Sequence, residues 1–179
     1  MLNVGFNKLR ELPDEVSGLA NLQEIDLRDN PALEGLPSLS SMRALSKLSL
    51  RNSKLSELPV EVCALANLTE LDLRDNTQMR SVPAEIGRLR MLRRLDLYGM
   101  KLSKLPRELG QLAALQHLDL RSNNLTVDAL PLEIFNLVEL RKLYLAGNQF
   151  AVLPDQVRAL RQLQELDISN NRITRLPEW

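Results

Sequence analysis

The sequence is poor in aromatic residues and cysteine, and it carries no net charge. Aromatic residues make up 3% of the 179 residues although 44% are apolar, so leucine and valine must build the core. Cys63 is the only cysteine, which excludes an internal disulfide framework and favours a reducing compartment. The 23 basic and 23 acidic residues balance, so no overall electrostatic field attracts nucleic acid or an anionic membrane.

No segment of the sequence is suited to entering or crossing a membrane. The N-terminus, MLNVGFNKLREL, lacks the basic region followed by an apolar run that a secretion signal has. No stretch approaches the roughly 18 consecutive apolar residues of a membrane-spanning helix. Together with the single cysteine, these features predict a cytoplasmic protein without membrane insertion.

The abundant feature is one leucine pattern that returns at a nearly fixed period. It is clearest at Leu163 to Pro177, LQELDISNNRITRLP, and half a copy opens the chain as LNVGFNKLRELP. The other copies begin at Leu22, Leu45, Leu68, Leu92, Leu115 and Leu140. From Leu22 to Leu163 the steps are 23, 23, 24, 23, 25 and 23 residues. Self-similarity at such a period indicates a repeat architecture, so we predict one domain over residues 1–179 with about eight repeats, the first and last incomplete.

Each repeat divides into a strand, a turn and an outer segment. A centre such as Leu71-Asp72-Leu73 alternates apolar and polar residues, which predicts a short strand with one buried face. After the turn, every repeat reaches a proline, and the segment beyond it spaces apolar residues three apart, as a short helical turn does. No repeat buries its own leucines, so the strands of successive repeats should stack into one parallel sheet.

An asparagine column marks the turn after each strand and is interrupted twice. Its members are Asn7, Asn30, Ser53, Asn76, Met100, Asn123, Asn148 and Asn171. An amide offers donors and acceptors to backbone groups buried between repeats, whereas serine offers part of this and methionine none. We therefore expect an irregular turn in the repeat that contains Met100. One extra residue follows Asn30 and Asn76, and two extra residues lie between Leu125 and Pro131, all in predicted loops.

The repeat frame LxxLxLxxNxLxxLPxEIxxL, near 23 residues long, resembles the typical repeats of intracellular leucine-rich-repeat proteins. Such repeats occur in Ras-suppressor-like proteins, plant Ras-group repeat proteins, Scribble-like scaffolds and Roco proteins, and the resemblance covers the whole chain. It implies an α/β solenoid, a right-handed horseshoe with a parallel β-sheet on its concave face and short helical or irregular segments on its convex face. It also implies a role in protein–protein recognition.

The two ends of the repeat array are incomplete. The chain begins in mid-strand at Met1-Leu2 and stops after Leu176-Pro177, before a final outer turn. Solenoids need polar capping repeats over their open cores, and neither end has the sequence of one. One interpretation is that Phe6 and Trp179 partly cover the exposed leucines. We favour the alternative that the chain is part of a longer protein or packs end-on against a partner.

Two polar columns flank the strand leucines and are predicted to line the concave face, because alternate strand residues point to opposite sides. The column between the leucines is Asn3, Asp26, Ser49, Asp72, Asp96, Asp119, Tyr144 and Asp167. The column after them is Gly5, Arg28, Arg51, Arg74, Tyr98, Arg121, Ala146 and Ser169. We expect these rows to neutralise each other, and the carboxylates argue against a nucleic-acid groove.

The pattern breaks in the fifth to seventh repeats, where two tyrosines replace an arginine and an aspartate. Tyrosine and arginine are enriched at binding hot spots. We therefore predict a partner-binding patch with the tyrosines as anchors and the basic residues matched to an acidic partner. The predicted patch consists of Arg74, Arg94, Tyr98, His117, Arg121, Lys142 and Tyr144. The alternative is ordinary variation of an exposed surface.

The sequence indicates no catalytic, cofactor or metal site. His117 is the only histidine and Cys63 lies on an outer segment, so no His/Cys cluster occurs at ligand spacing. Asp96 and Asp119 are neighbours, but a solvated face flanked by arginines would keep both ionised, which disfavours acid–base catalysis. Cys63 shares its column with Ser17, Gly87, Gly110, Phe135 and Arg158, a mixed set that predicts exposure of Cys63 and Phe135.

These observations predict a non-enzymatic recognition module in intracellular signalling that binds another protein through the concave face of its C-terminal half. The partner would have an acidic surface or belong to a small-GTPase pathway. One alternative is a substrate-docking or regulatory repeat region of a kinase, GTPase or ubiquitin ligase. Another is a structural subunit of a large assembly.

Overall fold

The repeats coil into a solenoid in which each coil contributes one strand to a parallel sheet. A computed structural model describes residues 1–178. Trp179, and with it the expected cover of the C-terminal leucines by its indole, lies outside the described residues. The strands are β1 (Leu2–Asn3), β2 (Glu24–Asp26), β3 (Lys47–Ser49), β4 (Glu70–Asp72), β5 (Arg94–Asp96), β6 (His117–Asp119), β7 (Lys142–Tyr144) and β8 (Glu165–Asp167).

The sheet follows the chain order, and every neighbouring pair of strands is parallel. Its register places equivalent repeat positions side by side, for example Leu71 beside Leu95 and Asp72 beside Asp96. This alignment follows from the repeat pattern, because a slip of one residue would turn each leucine row out of the core. The predicted leucine-rich-repeat solenoid with its sheet on one face is confirmed.

Short 3-10 helices form the opposite, convex face. Within residues 1–178 they are Asp14–Gly18, Val62–Ala64, Ala84–Arg88, Arg107–Gln111, Val127–Ala129, Leu132–Asn136 and Asp155–Ala159. Five of them directly follow a proline whose φ lies between −63° and −74°, the range to which the pyrrolidine ring restricts it. None of these helices within the described residues is long and apolar enough to cross a bilayer.

The core is a stack of leucine rows between the sheet and the convex helices. Leu95, Leu97 and their equivalents in the central repeats are fully buried. At the two ends the same positions are only partly buried, as at Leu2 in the first repeat and Leu166 in the last. A repeat therefore buries its leucines only when it has a neighbour on each side, as expected for a solenoid.

The asparagine column has the predicted role of satisfying backbone groups between coils. The amide nitrogen of Asn76 donates to the carbonyls of Leu73 (2.8 Å) and Leu50 (2.9 Å), one in its own coil and one in the previous coil. Its amide oxygen accepts the N–H of Ser53 at 3.0 Å. Two repeats further on, the amide nitrogen of Asn123 makes the equivalent bonds to Leu97 and Leu120, while its oxygen accepts the N–H of Leu102.

The expected irregular turn at Met100 is confirmed. Residues before the asparagine column have positive φ throughout, from Phe6 to Asn170. Only in the Met100 repeat does the residue after the column, Lys101, also have positive φ (58°). The thioether of Met100 is fully buried and offers the backbone no hydrogen-bonding amide, so the turn closes differently.

The predicted exposure of Cys63 and Phe135 is wrong. Cys63 is 1% exposed and Phe135 is 4% exposed, because each lies in a 3-10 helix that packs against the next one. Burial and the nearby negative charge of Glu85 raise the pKa of the Cys63 thiol to about 11. The column thus faces a neighbouring coil rather than solvent, and Gly110 shows how close that coil comes. A Cβ at Gly110 would lie 2.2 Å from the carbonyl oxygen of Glu133.

Candidate protein-binding site

The two polar columns lie side by side on the exposed face of the sheet and form ion pairs within the coils of β2, β4 and β6. Asp26 contacts Arg28 at 2.8 Å and Asp72 contacts Arg74 at 2.6 Å, with the same arrangement at Asp119 and Arg121. The hydrogen bond from Arg74 to Asp72 raises the pKa of the guanidinium above its usual value. The expected mutual neutralisation of the rows is therefore confirmed.

These aspartates also hold the backbone where each strand ends. Oδ1 of Asp26 accepts the N–H of Arg28 at 3.1 Å, and Oδ1 of Asp72 accepts the N–H of Arg74 at 3.1 Å. A carboxylate that binds the N–H two residues on is an Asx turn, which explains why aspartate recurs in this column. The ion pair and the turn are thus made by the same side chain.

Asp96 departs from this arrangement because Tyr98 replaces the arginine two residues on. Its Oδ2 accepts from Nε of Arg94 at 3.0 Å, on the other side of the strand centre. Its Oδ1 lies 3.6 Å from Nε2 of His117. Both of these last atoms are buried and neither has a hydrogen-bond partner within residues 1–178. The exchange of one arginine for tyrosine therefore reorients the neighbouring carboxylate towards the histidine.

The expectation that Asp96 and Asp119 sit on a solvated face is wrong, since each is only 2% exposed. Burial raises the pKa of Asp96, but the interactions with His117 and Arg94 outweigh it and hold that pKa below its ordinary value. Asp119 receives hydrogen bonds from Arg121 on both oxygens. Asp96 thus remains ionised, for a reason other than solvation, and is unsuited to proton transfer near neutral pH.

Asp96, His117 and Asp119 bring three possible ligand atoms within 4.8 Å of one another. The carboxylate of Asp119 is saturated by Arg121 and one oxygen of Asp96 by Arg94. Two free ligand atoms remain, fewer than the three or four protein ligands of zinc sites. The adjacent guanidinium groups also oppose a cation, so we assign no metal to this cluster.

The tyrosines of the predicted patch stack around one arginine. The guanidinium of Arg121 lies 4.9 Å from the ring centre of Tyr144 and 5.7 Å from that of Tyr98. His117 meets Tyr144 edge to face, with ring centres 5.2 Å apart and planes at 74°. Arg121 also donates hydrogen bonds to Asp119, so the two rings and the guanidinium form a fixed, half-buried cluster across the coils of β5 to β7. We call Tyr98, Arg121 and Tyr144 the tyrosine–arginine cluster.

The structure places the seven predicted residues on four adjacent strands. Arg94 and Tyr98 belong to the coil of β5, His117 and Arg121 to that of β6, and Lys142 and Tyr144 to β7. Arg74 follows β4, one strand removed from the tyrosine–arginine cluster. Arg74 pairs with Asp72, so it extends the surface without adding free charge.

The basic groups of the predicted patch are all paired within the chain. Arg94 contacts Asp96 at 3.0 Å, Arg121 binds Asp119, and Lys142 contacts Glu165. Glu165 also accepts from the hydroxyl of Tyr144. The hydrogen bond with Lys142 lowers the pKa of Glu165 and raises that of Lys142. The patch therefore offers aromatic and polar contacts but little uncompensated positive charge.

Beside the predicted patch, unpaired positive charge lies at two residues that the sequence reasoning missed, Arg93 and Arg141. Both are exposed, and no carboxylate within residues 1–178 lies within 4.0 Å of either guanidinium. Together with Gln116 they line a groove of about 470 Å³ at the N-terminal edge of β5 to β7. The signal is present in the sequence as a further column, three residues before the aspartate column and one before Arg94, His117 and Lys142: Gln23, Ser46, Thr69, Arg93, Gln116, Arg141 and Gln164.

The chain is similar to known repeat families over most of its length. A model described as "Leucine rich repeat" matches residues 43–102 and 67–125. A second, "Leucine Rich repeats (2 copies)", matches residues 138–179, and a third, "Leucine Rich Repeat", matches residues 114–137. No curated protein matches the chain.

Solved structures share its fold. A leucine-rich-repeat protein of Leptospira interrogans is 30% identical with a TM-score of 0.66, over 98% of this chain and 56% of that one. The plant peptide hormone receptor RGFR1, in complex with RGF2, is 26% identical with a TM-score of 0.71, over 96% of this chain and 32% of that one. Internalin C2 of Listeria monocytogenes is 20% identical with a TM-score of 0.78, over 97% of this chain and 72% of that one. The chain thus spans about half the length of the Leptospira protein and a third of the receptor.

Proposed function

Because this chain belongs to the leucine-rich-repeat family, whose domains are generally protein-binding modules, we propose that it binds a partner protein through the exposed face of β5 to β7. The observation that carries the proposal is the tyrosine–arginine cluster of Tyr98, Arg121 and Tyr144. Such a cluster interrupts an otherwise self-neutralised surface. The setting that the repeat pattern suggests is an intracellular scaffold in signalling, in the cytoplasm.

The cluster has the physical properties of a binding anchor. Its rings present large apolar area with few rotatable bonds, so little side-chain entropy is lost on contact. Arg121 is already oriented by Asp119 and by both rings, so a partner meets a preformed surface. The bound RGF2 of the plant receptor supports a proteinaceous partner for a chain of this fold.

Affinity capture from a lysate of the native organism, followed by mass spectrometry, tests the proposal. The bait is the wild-type chain beside Tyr98→Ala/Tyr144→Ala, and circular dichroism establishes that both are folded. Partners that bind the wild type should be lost or depleted about tenfold or more with the variant, the scale of hot-spot truncation. The control Met91→Ala/Leu132→Ala removes exposed apolar side chains outside this cluster and should retain them. Retention of every partner by the tyrosine variant would contradict the proposal.

A second candidate is a docking or regulatory repeat region within a larger enzyme such as a kinase, GTPase or ubiquitin ligase. Its support is limited to length: the chain matches 56% of the Leptospira protein and 32% of the receptor, which fits a repeat region of a longer polypeptide. An antibody against the chain would then detect a longer polypeptide in the native lysate, and a band near 20.3 kDa alone would contradict it.

A further inference from the structure

Six residues in a grid of two by three form the N-terminal edge of the exposed sheet face. Arg94, His117 and Lys142 are register partners on β5, β6 and β7. The residue before each of them is Arg93, Gln116 and Arg141. None of the six is acidic, and four are permanently cationic at neutral pH. This is the groove of about 470 Å³ described above, which we call the edge groove.

The outer row of the edge groove, which consists of Arg93, Gln116 and Arg141, carries positive charge that no carboxylate compensates among the described residues. Arg94 and Lys142 are neutralised by Asp96 and Glu165. Glu70, which lies at one end of the groove, is paired with Lys47 at 2.7 Å. The remaining charges are the guanidinium groups of Arg93 and Arg141, which have no ion-pair partner among the described residues.

The backbone beneath these two arginines is rigid and sets their spacing. The N–H of Gln116 donates to the carbonyl of Arg93, and the N–H of Arg141 donates to the carbonyl of Gln116, each at 2.9 Å. Adjacent strands are about 4.8 Å apart, so the Cα atoms of the two arginines are separated by about 10 Å across the central Gln116. An extended peptide advances about 3.3 Å per residue and crosses this distance in about three residues.

We propose that the edge groove binds an acidic peptide segment of a partner protein, with one carboxylate on Arg93 and a second on Arg141. The carboxylates lie two or four residues apart along an extended segment, because alternate side chains point to the same side, and the amide of Gln116 donates to the peptide backbone between them. This inference rests on the proposed function and names the partner chemistry. The tyrosine–arginine cluster on the same strands then contacts the apolar side chains of that segment.

A peptide fits these observations better than a polymer of phosphates. The floor beside the edge groove offers no free positive charge, because Asp96 and Asp119 neutralise Arg94 and Arg121, so a continuous phosphate backbone would find unpaired cations only at the outer row. The unpaired charge of the groove is confined to two side chains whose Cα atoms are about 10 Å apart, which matches two carboxylates of a short peptide better than a long run of phosphates. Arginine binds carboxylate through two parallel hydrogen bonds, so each site is specific as well as charged.

Fluorescence anisotropy with a fluorescein-labelled hexaglutamate peptide tests the proposal on the full chain. The variant Arg93→Ala/Arg141→Ala should bind the peptide at least about tenfold more weakly than the wild type, the scale of two lost charged contacts. The matched control Arg80→Ala/Arg158→Ala removes the same charge from exposed arginines outside the groove and should change the affinity less than about twofold. Binding should also weaken between 0.05 and 0.5 M salt, chosen to span roughly a threefold change in Debye length.

Three results would overturn the inference. The first is no hexaglutamate binding by the wild type, and the second is equal loss in the two arginine pairs, which would indicate charge without a site. The third is preference for another anion by more than about tenfold, tested with a phosphoserine peptide and with vesicles containing phosphatidylserine. If hexaglutamate fails but capture still depends on Tyr98 and Tyr144, the proposed function stands and only the edge groove is rejected. If hexaglutamate binds through Arg93 and Arg141 but the tyrosine variant captures the same partners as the wild type, the tyrosine–arginine cluster is rejected as the binding site and the edge groove stands.

Discussion

The backbone N–H of Met79 donates to the carbonyl oxygen of Asn76 at 3.0 Å, closing a turn inside its own repeat. In four repeats without an extra residue at this point, the N–H two residues after the asparagine column reaches the next coil instead. The N–H of Leu102, for example, donates to Oδ1 of Asn123 at 2.9 Å. In the coil after that of Asn76, Met100 stands where an asparagine oxygen would accept this bond. Because of the extra residue after Asn76, the backbone N–H bonds within its own repeat and does not face the thioether of Met100.

The extra residue after Asn30 has the same effect on its own repeat. Asn30 is also followed by an extra residue, and the N–H of Leu33 donates to the carbonyl of Asn30 at 2.9 Å. The next coil has Ser53 in the asparagine column, and its hydroxyl is already bound to Asn76 at 2.7 Å. Both departures from asparagine are therefore preceded by the insertion that compensates for them.

We expect deletion of Gln78 to destabilise the chain by about 1–3 kcal/mol, because it would leave a backbone N–H facing Met100 without an acceptor. Combining the deletion with Met100→Asn should recover most of that loss, because it restores the regular turn. Urea denaturation followed by circular dichroism gives the free energy of unfolding of both single variants and the combination. Losses that simply add in the combination would show that the insertion and Met100 are independent.

Gly110→Ala should destabilise the chain by about 1–3 kcal/mol, because the added methyl group must displace the backbone at Glu133. Gly18 ends the convex 3-10 helix of the first repeat, one position later than Gly110 lies in its own helix, and a Cβ there would meet nothing within 4 Å. Gly18→Ala is therefore the matched control and should be neutral or slightly stabilising. Thermal and urea unfolding measure both, and equal effects would mean that the convex helices pack less closely than described.

Acid should destabilise the protein partly through Asp96. Its pKa in the folded chain is below the ordinary value, so the ionised carboxylate stabilises the fold above about pH 4 and this contribution is lost as the pH falls through the folded-state pKa. The unfolding free energy of Asp96→Asn should thus depend less on pH between 5 and 3 than that of the wild type, a window set by roughly the ordinary aspartate pKa. Asp128→Asn, at an exposed position of the 3-10 helix Val127–Ala129, controls for removal of one charge. Parallel pH profiles for Asp96→Asn and the wild type would contradict the assignment.

Cys63 should be unreactive in the folded protein. Its thiol is buried and its pKa is about 11, so little thiolate forms near pH 8. Ellman's reagent should modify it slowly in native buffer and rapidly in urea above the unfolding midpoint. The double variant Cys63→Ala/Ala113→Cys moves the thiol to an exposed position and should react without urea. Rapid labelling of the native wild type would show that the convex helix over Cys63 opens readily.

The repeat period and the residues that share a face were predictable, because they depend only on spacing along the chain. Every coil has to present its leucines to its neighbours, so aligning the leucines also aligns Asp72 with Asp96. The asparagine column follows the same rule, since its partners lie at a constant offset in the adjacent coil. The unpaired arginines Arg93 and Arg141 follow the same rule, since they share a column three residues before Asp96 and Tyr144.

Burial on the convex face was not predictable from the pattern. The column of Cys63 holds residues from glycine to phenylalanine, and a mixed column is also typical of an exposed position. Its burial depends on how closely each 3-10 helix approaches the next, which is set by packing of the whole coil at Gly110 and Glu133. No spacing within one repeat reports that distance.

From the sequence alone, the period determined the solenoid, the parallel sheet and the rows of side chains on its exposed face. Only the tertiary structure decided which charges in those rows remain free. Pairing between Arg94 and Asp96 or between Lys142 and Glu165 depends on rotamers and on distances of a few ångströms across strands. Those distances are set jointly by neighbouring coils. Where Tyr98 replaces an arginine, Asp96 therefore turns towards His117 of the next coil, and the pattern of a single repeat does not predict this contact.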